Sequence, residues 1–206
     1  MNVIIALLAA YLIGSVSFGY MAGRLLKGVD IRQYGSGNTG STNVQRTLGT
    51  GPGLLVFALD VAKGFSAIYI ADMLTEMPLV VMLAGVAVVA GHNWPLFFGF
   101  KGGRGVATTV GVLAGLTPDV MLIVFIAAIA VIALTRYVSL GSITGAVLVP
   151  TLMVAFQKPP AFIFFGFVLA VLTVWRHKQN IGRLMSGTEN KLGKRVAIDK
   201  KVEKQK

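Results

Sequence analysis

Cysteine is absent from this 206-residue chain, which excludes disulfides, thiolate metal sites and a cysteine nucleophile. Acid is scarce: 8 Asp and Glu stand against 19 Lys and Arg, a formal net charge of +11. The chain has only 2 histidines, and no array of carboxylates accompanies them, so no metal site is expected. Charge of either sign amounts to 13% of residues, against about 25% in ordinary soluble domains. What fills the space is apolar: 55% of residues are hydrophobic, and the mean hydropathy is +0.75. That balance indicates an integral membrane protein rather than a large soluble core. The basic excess does not point to nucleic acid, because the bases sit beside hydrophobic runs. No internal repeat or second domain is evident.

Windows of about 20 residues, the length that crosses a bilayer core, give candidate spans near 3–23, 54–71, 78–96, 105–116, 120–135, 138–156 and 161–175. The first run, "NVIIALLAAYLIGSVSFGYMA", is too long for a signal-peptide core and shows no clear cleavage pattern, so it reads as a span. The fourth, "GVATTVGVLAGL", is short; it reads as a short, tilted or re-entrant helix surrounded by protein. The expected fold is all-α: a polytopic integral membrane protein with seven transmembrane helices, the fourth short. A single membrane domain covers 1–193, and a basic, flexible tail covers 194–206. An outside N-terminus and a cytoplasmic C-terminus place every Lys and Arg except Lys63 and Lys158 in inside segments. The outer loops then carry Asp72, Glu76 and Asp119, as the positive-inside rule requires. The pairs Gly19/Gly23, Gly111/Gly115 and Gly141/Gly145 have the G-x-x-x-G spacing of close helix packing.

Three polar segments fall on the cytoplasmic side of this topology. The first, Tyr34 to Gly53, reads "YGSGNTGSTNVQRTLGTGPG" and looks like a cytoplasmic loop. Its glycines let backbone N–H groups converge into an anion-binding concavity. Ser36, Asn38, Thr42 and Asn43 add side-chain donors around Gly37, and Arg46 adds a fork suited to phosphate. It lacks the P-loop pattern, and the bland alternative is a glycine-rich connector. The second, "GHNWPLFFGFKGGRGVATT", sets Lys101, Gly102, Gly103 and Arg104 just before a helix start, a second anion site; an interfacial turn with snorkelling bases is its alternative. The third, "RHKQNIGRLMSGTEN", places His177 and Asn180 on one face of a helix, with Arg176, Asn180 and Arg183 as a neighbouring row. Taken alone, it reads as a stop-transfer cluster meeting lipid headgroups.

Inside the membrane, Asp60 and Lys63 stand three apart, either paired with each other or with Lys63 near the cytoplasmic site. Ser142 lies about one turn inside the sixth span, and His92 belongs to the second segment.

The strings "GSGNTGSTNVQRTLG", "GHNWPLFFGFKGGRGVATTVG" and "RHKQNIGRLMSGTENKLG", in this order across essentially the whole chain, resemble the signature segments of the bacterial acyl-phosphate:glycerol-3-phosphate acyltransferases. Arg104 stands where that family usually has lysine, and Ser41 where it usually has alanine. The resemblance implies a multi-pass enzyme of phospholipid synthesis in the bacterial cytoplasmic (inner) membrane, its active site facing the cytoplasm. Such an enzyme moves a fatty acyl group from acyl phosphate to the 1-hydroxyl of glycerol 3-phosphate and yields lysophosphatidic acid and phosphate, with no cofactor. Its partners would be the two substrates, membrane lipids and, as a candidate, the enzyme that forms acyl phosphate. Substrate-holding groups would come from Ser36, Gly37, Asn38, Thr42, Asn43, Arg46, Lys63, His92, Lys101, Gly102, Gly103, Arg104, Ser142 and Asn180.

The His-x-x-x-x-Asp device of soluble-type acyltransferases is missing, since Phe97 and Gly182 occupy the fifth position after the two histidines. The expected mechanism is direct attack, with the acceptor's own phosphate dianion (second pKa about 6) taking the proton; His177 is the alternative base. Backbone N–H groups of the "KGGRG" turn are expected to meet charge developing on the carbonyl oxygen. Without the resemblance, a transporter of a phosphorylated metabolite is the rival reading.

Overall fold

The computed structural model describes residues 2–196; the part of the expected flexible tail from residue 197 onward lies outside the described residues. Every regular element among the described residues is helical. The first span is broken. Helix α1 (Asn2–Ser15) and helix α2 (Phe18–Lys27) meet at Val16 and Ser17, and together they are long and apolar enough to cross a membrane. The break frees the Val16 carbonyl, which accepts a hydrogen bond from Lys63 Nζ at 2.8 Å. A freed carbonyl inside a bilayer needs such a partner.

Helix α3 (Ser41–Leu48) corrects the reading of Tyr34–Gly53 as a loop. Its eight residues are too polar and too few to announce a helix. Val44 and Leu48 nevertheless find apolar partners in Ile31 and Val56, and this small cluster supplies the stabilisation that propensity does not. Helix α4 (Thr50–Leu74) starts directly after Gly49, so Thr50 to Gly53 are helical as well.

The remaining helices are α5 (Pro78–Asn93), α6 (Val106–Leu116), α7 (Pro118–Thr135), α8 (Val138–Ala155), α9 (Pro160–Arg176) and α10 (Lys178–Met185). Five helical units are long and apolar enough to cross a bilayer, six if the bent α9–α10 pair counts as one. Helix α6 is short, as its sequence indicates: 11 residues, a rise of about 16 Å against a core of about 30 Å. It can be short because the loop feeding it dips into the bundle, where Gly103 N–H donates to the His92 carbonyl at 3.1 Å.

The main helix pairs are α1 with α5, α4 with α6, α7 with α8, and α8 with α9. At the α4–α6 contact, Gly64 faces the Thr108 carbonyl and Gly111 the Val61 carbonyl, so a Cβ at either would strike backbone. The apolar core joins α1, α4, α5, α6, α7, α8 and α9 through residues such as Ala10, Ile68, Val88, Val112, Val120, Met153 and Leu169. Helix α7 gives that core only Val120 and Val124 and exposes Leu122, Ile126, Ile129 and Leu134, a surface suited to lipid. Lys158 and Asp119 pair at 2.7 Å and mark one end of the bundle. The polar segments gather at the other, where Ser139 at the start of α8 meets Glu189 beyond α10.

Candidate active site

At that polar end lies a cavity of about 560 Å³. Ser36, Gly37 and Asn38 line it from the first segment; Lys101, Gly102 and Arg104 from the second; and Arg176, Lys178 and Gln179 from the third. Three stretches far apart in sequence therefore build one polar, cationic hollow.

The first wall is held by Asn43 on α3. Its Oδ1 accepts from Ser36 N at 2.8 Å, while its Nδ2 donates to the carbonyls of Ile31, Tyr34 and Asn38 at 3.1, 3.1 and 2.8 Å. Both ends of the amide are thus engaged with the loop, and Asn43 shapes the wall from behind. Gly35, at φ +60, sits so close to Asn43 Oδ1 that a Cβ would collide with it. Asn38 spends its Oδ1 on Gly40 N–H at 2.9 Å, and Thr42 lies half-buried on the first turn of α3.

The second wall is the Gly102–Gly103 turn, clamped from two sides. Gly103 N–H donates to His92, and the Gly103 carbonyl accepts from Arg176 Nη2 at 2.6 Å and Nε at 3.2 Å. One correction follows: the Gly103 N–H is already committed to His92 and is not a donor for a reacting carbonyl. Arg176 lies over the Trp94 ring, 5.4 Å from its centroid, and Trp94 packs against Trp175. Arg32, from the loop after α2, is already held by Asp30 at 2.8 Å and by the Phe98 carbonyl at 2.8 Å.

The third wall departs from a continuous helix. Helix α9 stops at Arg176, His177 caps it, and α10 leaves at a 60° bend. His177 Nδ1 lies 2.8 Å from the Thr173 carbonyl, which makes Nδ1 the protonated nitrogen and leaves Nε2 as the acceptor. Burial, followed by the nearby Arg104 cation, pushes the His177 pKa down to about 4, so the ring is neutral at physiological pH. Asn180 donates through Nδ2 to Glu189 Oε1 at 2.7 Å. The same carboxylate also receives Ser139 Oγ at 3.0 Å and Arg183 Nε at 2.7 Å. Although burial opposes it, Arg183, Asn180 and Ser139 together hold the Glu189 carboxyl below its ordinary pKa.

The electrostatics are lopsided. Burial, then the neighbouring Arg183 cation, lowers the Arg104 pKa to about 10; Arg46 and Arg176 add to the repulsion, and Glu189 alone offsets it. Arg46 is buried, and burial is the first cause of its lowered pKa, with Arg183 adding to the effect. Its Nη2 donates to the Asn190 carbonyl at 3.2 Å, but among the described residues its Nε has no partner, and neither has Asn180 Oδ1. A buried polar group left unpaired costs about 1–3 kcal/mol.

Of the sequence candidates, Thr42, Asn43, Arg46, Lys63, His92, Gly103, Ser142, His177 and Asn180 are not among the residues that line the cavity. Lys63 and His92 belong to a buried group with Asp60. Ser142, on α8, donates to the Val138 carbonyl at 2.9 Å. Sequence reasoning passed over Glu189, whose only signal was being the one acid between Arg176 and Arg195, and Ser139, which had none. Among the described residues, no group of three His, Asp or Glu could hold a metal ion.

The profile of the family "Glycerol-3-phosphate acyltransferase" matches residues 4–187. The glycerol-3-phosphate acyltransferase of Shouchella clausii (strain KSM-K16) is 49% identical over 202 residues, covering 95% of this chain and 98% of the relative. That of Halalkalibacterium halodurans is 48% identical over 194 residues, with 91% and 94% covered. Among solved structures, PlsY (YgiH), an integral membrane glycerol 3-phosphate acyltransferase, superposes in its glycerol 3-phosphate form with a TM-score of 0.89. The identity is 41%, over 94% of this chain and 96% of that one. Its lysophosphatidic acid form gives a TM-score of 0.86 at 40% identity, covering 94% of this chain and 97% of that one.

Proposed function

The chain belongs to the glycerol-3-phosphate acyltransferase family, and on that premise we propose that it transfers a fatty acyl group from acyl phosphate to the 1-hydroxyl of glycerol 3-phosphate. The products are lysophosphatidic acid and inorganic phosphate. The observation that carries this reading is the cationic cavity itself, where three polar segments meet beside apolar helices; Arg46 Nε and Asn180 Oδ1, which are not in its lining, have no hydrogen-bond partner among the described residues. Both substrates bring a phosphate, and the acyl chain is as apolar as the lipid around it.

The proposed topology is seven membrane passages with the N-terminus outside and the C-terminus cytoplasmic, α6 being the short one. It is supported by the distribution of lysine and arginine between the two ends of the bundle. The cavity then opens to the cytoplasm, where both substrates are made.

Roles follow from the side chains. Arg46, Lys101 and Arg104 neutralise phosphate, with the backbone at Gly37 and Gly102 allowing close approach. Asn180 Oδ1 accepts from the glycerol backbone's hydroxyl, and Ser36 faces the same cavity. The 1-hydroxyl oxygen attacks the acyl carbon, the bond from that carbon to the bridging phosphate oxygen breaks, and phosphate leaves. No acid is needed for its departure, because phosphate is a good leaving group. The hydroxyl proton passes to the acceptor's own phosphate dianion.

His177 is a poor competitor for that proton because its pKa lies at about 4. A general base contributes about 100-fold or more. Under substrate assistance, His177→Gln loses less than this at saturating substrates. It also keeps the fall in rate that accompanies protonation of the acceptor, centred near a pKa of about 6. A larger loss of rate, together with disappearance of a limb near pH 4, gives the role to His177.

A further inference from the structure

Asp60, Lys63 and His92 form a charged group buried behind the cavity wall. Asp60 and Lys63 share one face of α4, 1% and 5% exposed, with Nζ 2.7 Å from Oδ1. His92, on the last turn of α5, brings Nδ1 to 3.5 Å from the same oxygen. Lys63 also reaches the Val16 carbonyl at the break between α1 and α2, and it lies over the Phe18 ring. The other side of the imidazole faces the turn: a Cβ on Gly103 would strike His92 Nε2, and one on Gly102 the His92 carbonyl.

Charge buried within a membrane-spanning helix is expensive. A buried ion pair is also weak evidence for stability, since apolar residues of similar volume often serve as well. What this group does is visible in its contacts. Asp60 orients the imidazole from one side, and the imidazole and its own carbonyl form the floor on which Gly102 and Gly103 rest. Lys63 ties that floor to the broken first span. Arg176 holds the same turn from above through the Gly103 carbonyl.

We propose that Asp60, Lys63 and His92 are positioning residues that set the depth of the Gly102–Gly103 turn in the cavity, and thereby the fit of the phosphate-bearing acceptor. None of them touches substrate; they act through the turn. The inference rests on reading the cavity as the glycerol 3-phosphate site.

A double-mutant cycle on the full chain in detergent tests it, with KM for glycerol 3-phosphate, kcat and melting temperature measured for each variant. Gly103→Ala should lower kcat/KM by about 100-fold, the scale of a 1 Å misplacement. His92→Ala removes the floor and should raise KM by about tenfold while kcat changes less. The double variant places the new methyl in the vacated space and should recover about tenfold of the Gly103→Ala loss, a coupling of the size that contacting residues show. Asp60→Asn/Lys63→Met leaves no unpaired charge and should shift KM in the same direction as His92→Ala. Losses that simply multiply in the double variant overturn the proposal. So does a His92→Ala protein with wild-type KM and only a lowered melting temperature. If the wild type makes no lysophosphatidic acid, the functional reading fails; the same cycle read as affinity for inorganic phosphate still decides the positioning role.

Discussion

Arg46→Ala lowers kcat/KM for glycerol 3-phosphate by roughly 100- to 1,000-fold, the loss that follows when one partner of a buried charge pair is truncated, while the protein still inserts and folds. Arg46 is 7% exposed, and among the described residues its guanidinium makes one hydrogen bond, to the Asn190 carbonyl, and its Nε has no partner. Burial disfavours this cation and Arg183 repels it, while Glu189 offsets these effects only in part. The charge is therefore stored for a ligand, and removing it costs binding more than stability. Arg46→Lys restores the charge but not the two-pronged geometry, so it recovers only part of the loss. Kinetics of Arg46→Ala within a factor of about two of wild type, measured with acceptor concentration varied, would remove this side chain from the phosphate site.

Asn43→Asp has the second large effect, through a different route. The change is isosteric and keeps the acceptor for Ser36 N–H, but it deletes the Nδ2 donors and turns a carboxylate oxygen toward the carbonyls of Ile31, Tyr34 and Asn38. Each carbonyl left without its donor costs about 1–3 kcal/mol, and the new charge is 1% exposed with no cation paired to it. The loop from Ile31 to Gly40 should lose its shape, and Ser36, Gly37 and Asn38 leave the cavity wall. The expected result is at least a 100-fold loss of kcat/KM, on the scale of a displaced binding group, together with a lower melting temperature. Asn43→Asp with wild-type turnover would mean that the wall does not depend on this hub.

The two sites of loss differ in how visible they are in the sequence. The apolar spans announce themselves by length, and the first, second and third polar segments announce themselves by contrast with the grease around them. Arg46 could be singled out because arginine beside glycines and hydroxyls has few bland explanations. Asn43 could be singled out too, but its work could not: nothing in a string of letters shows that both ends of its amide are spent on backbone five to twelve residues away. Helix α3 was hidden for a related reason, since a short, mostly polar stretch becomes a helix only when Val44 finds Ile31 and Val56. Lys63 and His92 looked like ligand groups because they are polar residues in an apolar setting. Depth along a helix and the companion Asp60 turn them into support for the Gly102–Gly103 turn. The bend at His177 was also out of reach, because the 3.6-residue pattern runs straight through it. Glu189 is the instructive omission: as the one acid between Arg176 and Arg195 it had a signal, which carried no weight until Ser139, Asn180 and Arg183 were seen to converge on it.

The central claim is that the cationic cavity joins two phosphate-bearing substrates, with acyl phosphate as the donor. The most direct test supplies the purified protein with glycerol 3-phosphate and either acyl phosphate or acyl-CoA, and measures lysophosphatidic acid and inorganic phosphate together. The account predicts both products in equal amounts from acyl phosphate and none from acyl-CoA. Lysophosphatidic acid from acyl-CoA, with none from acyl phosphate, would contradict it.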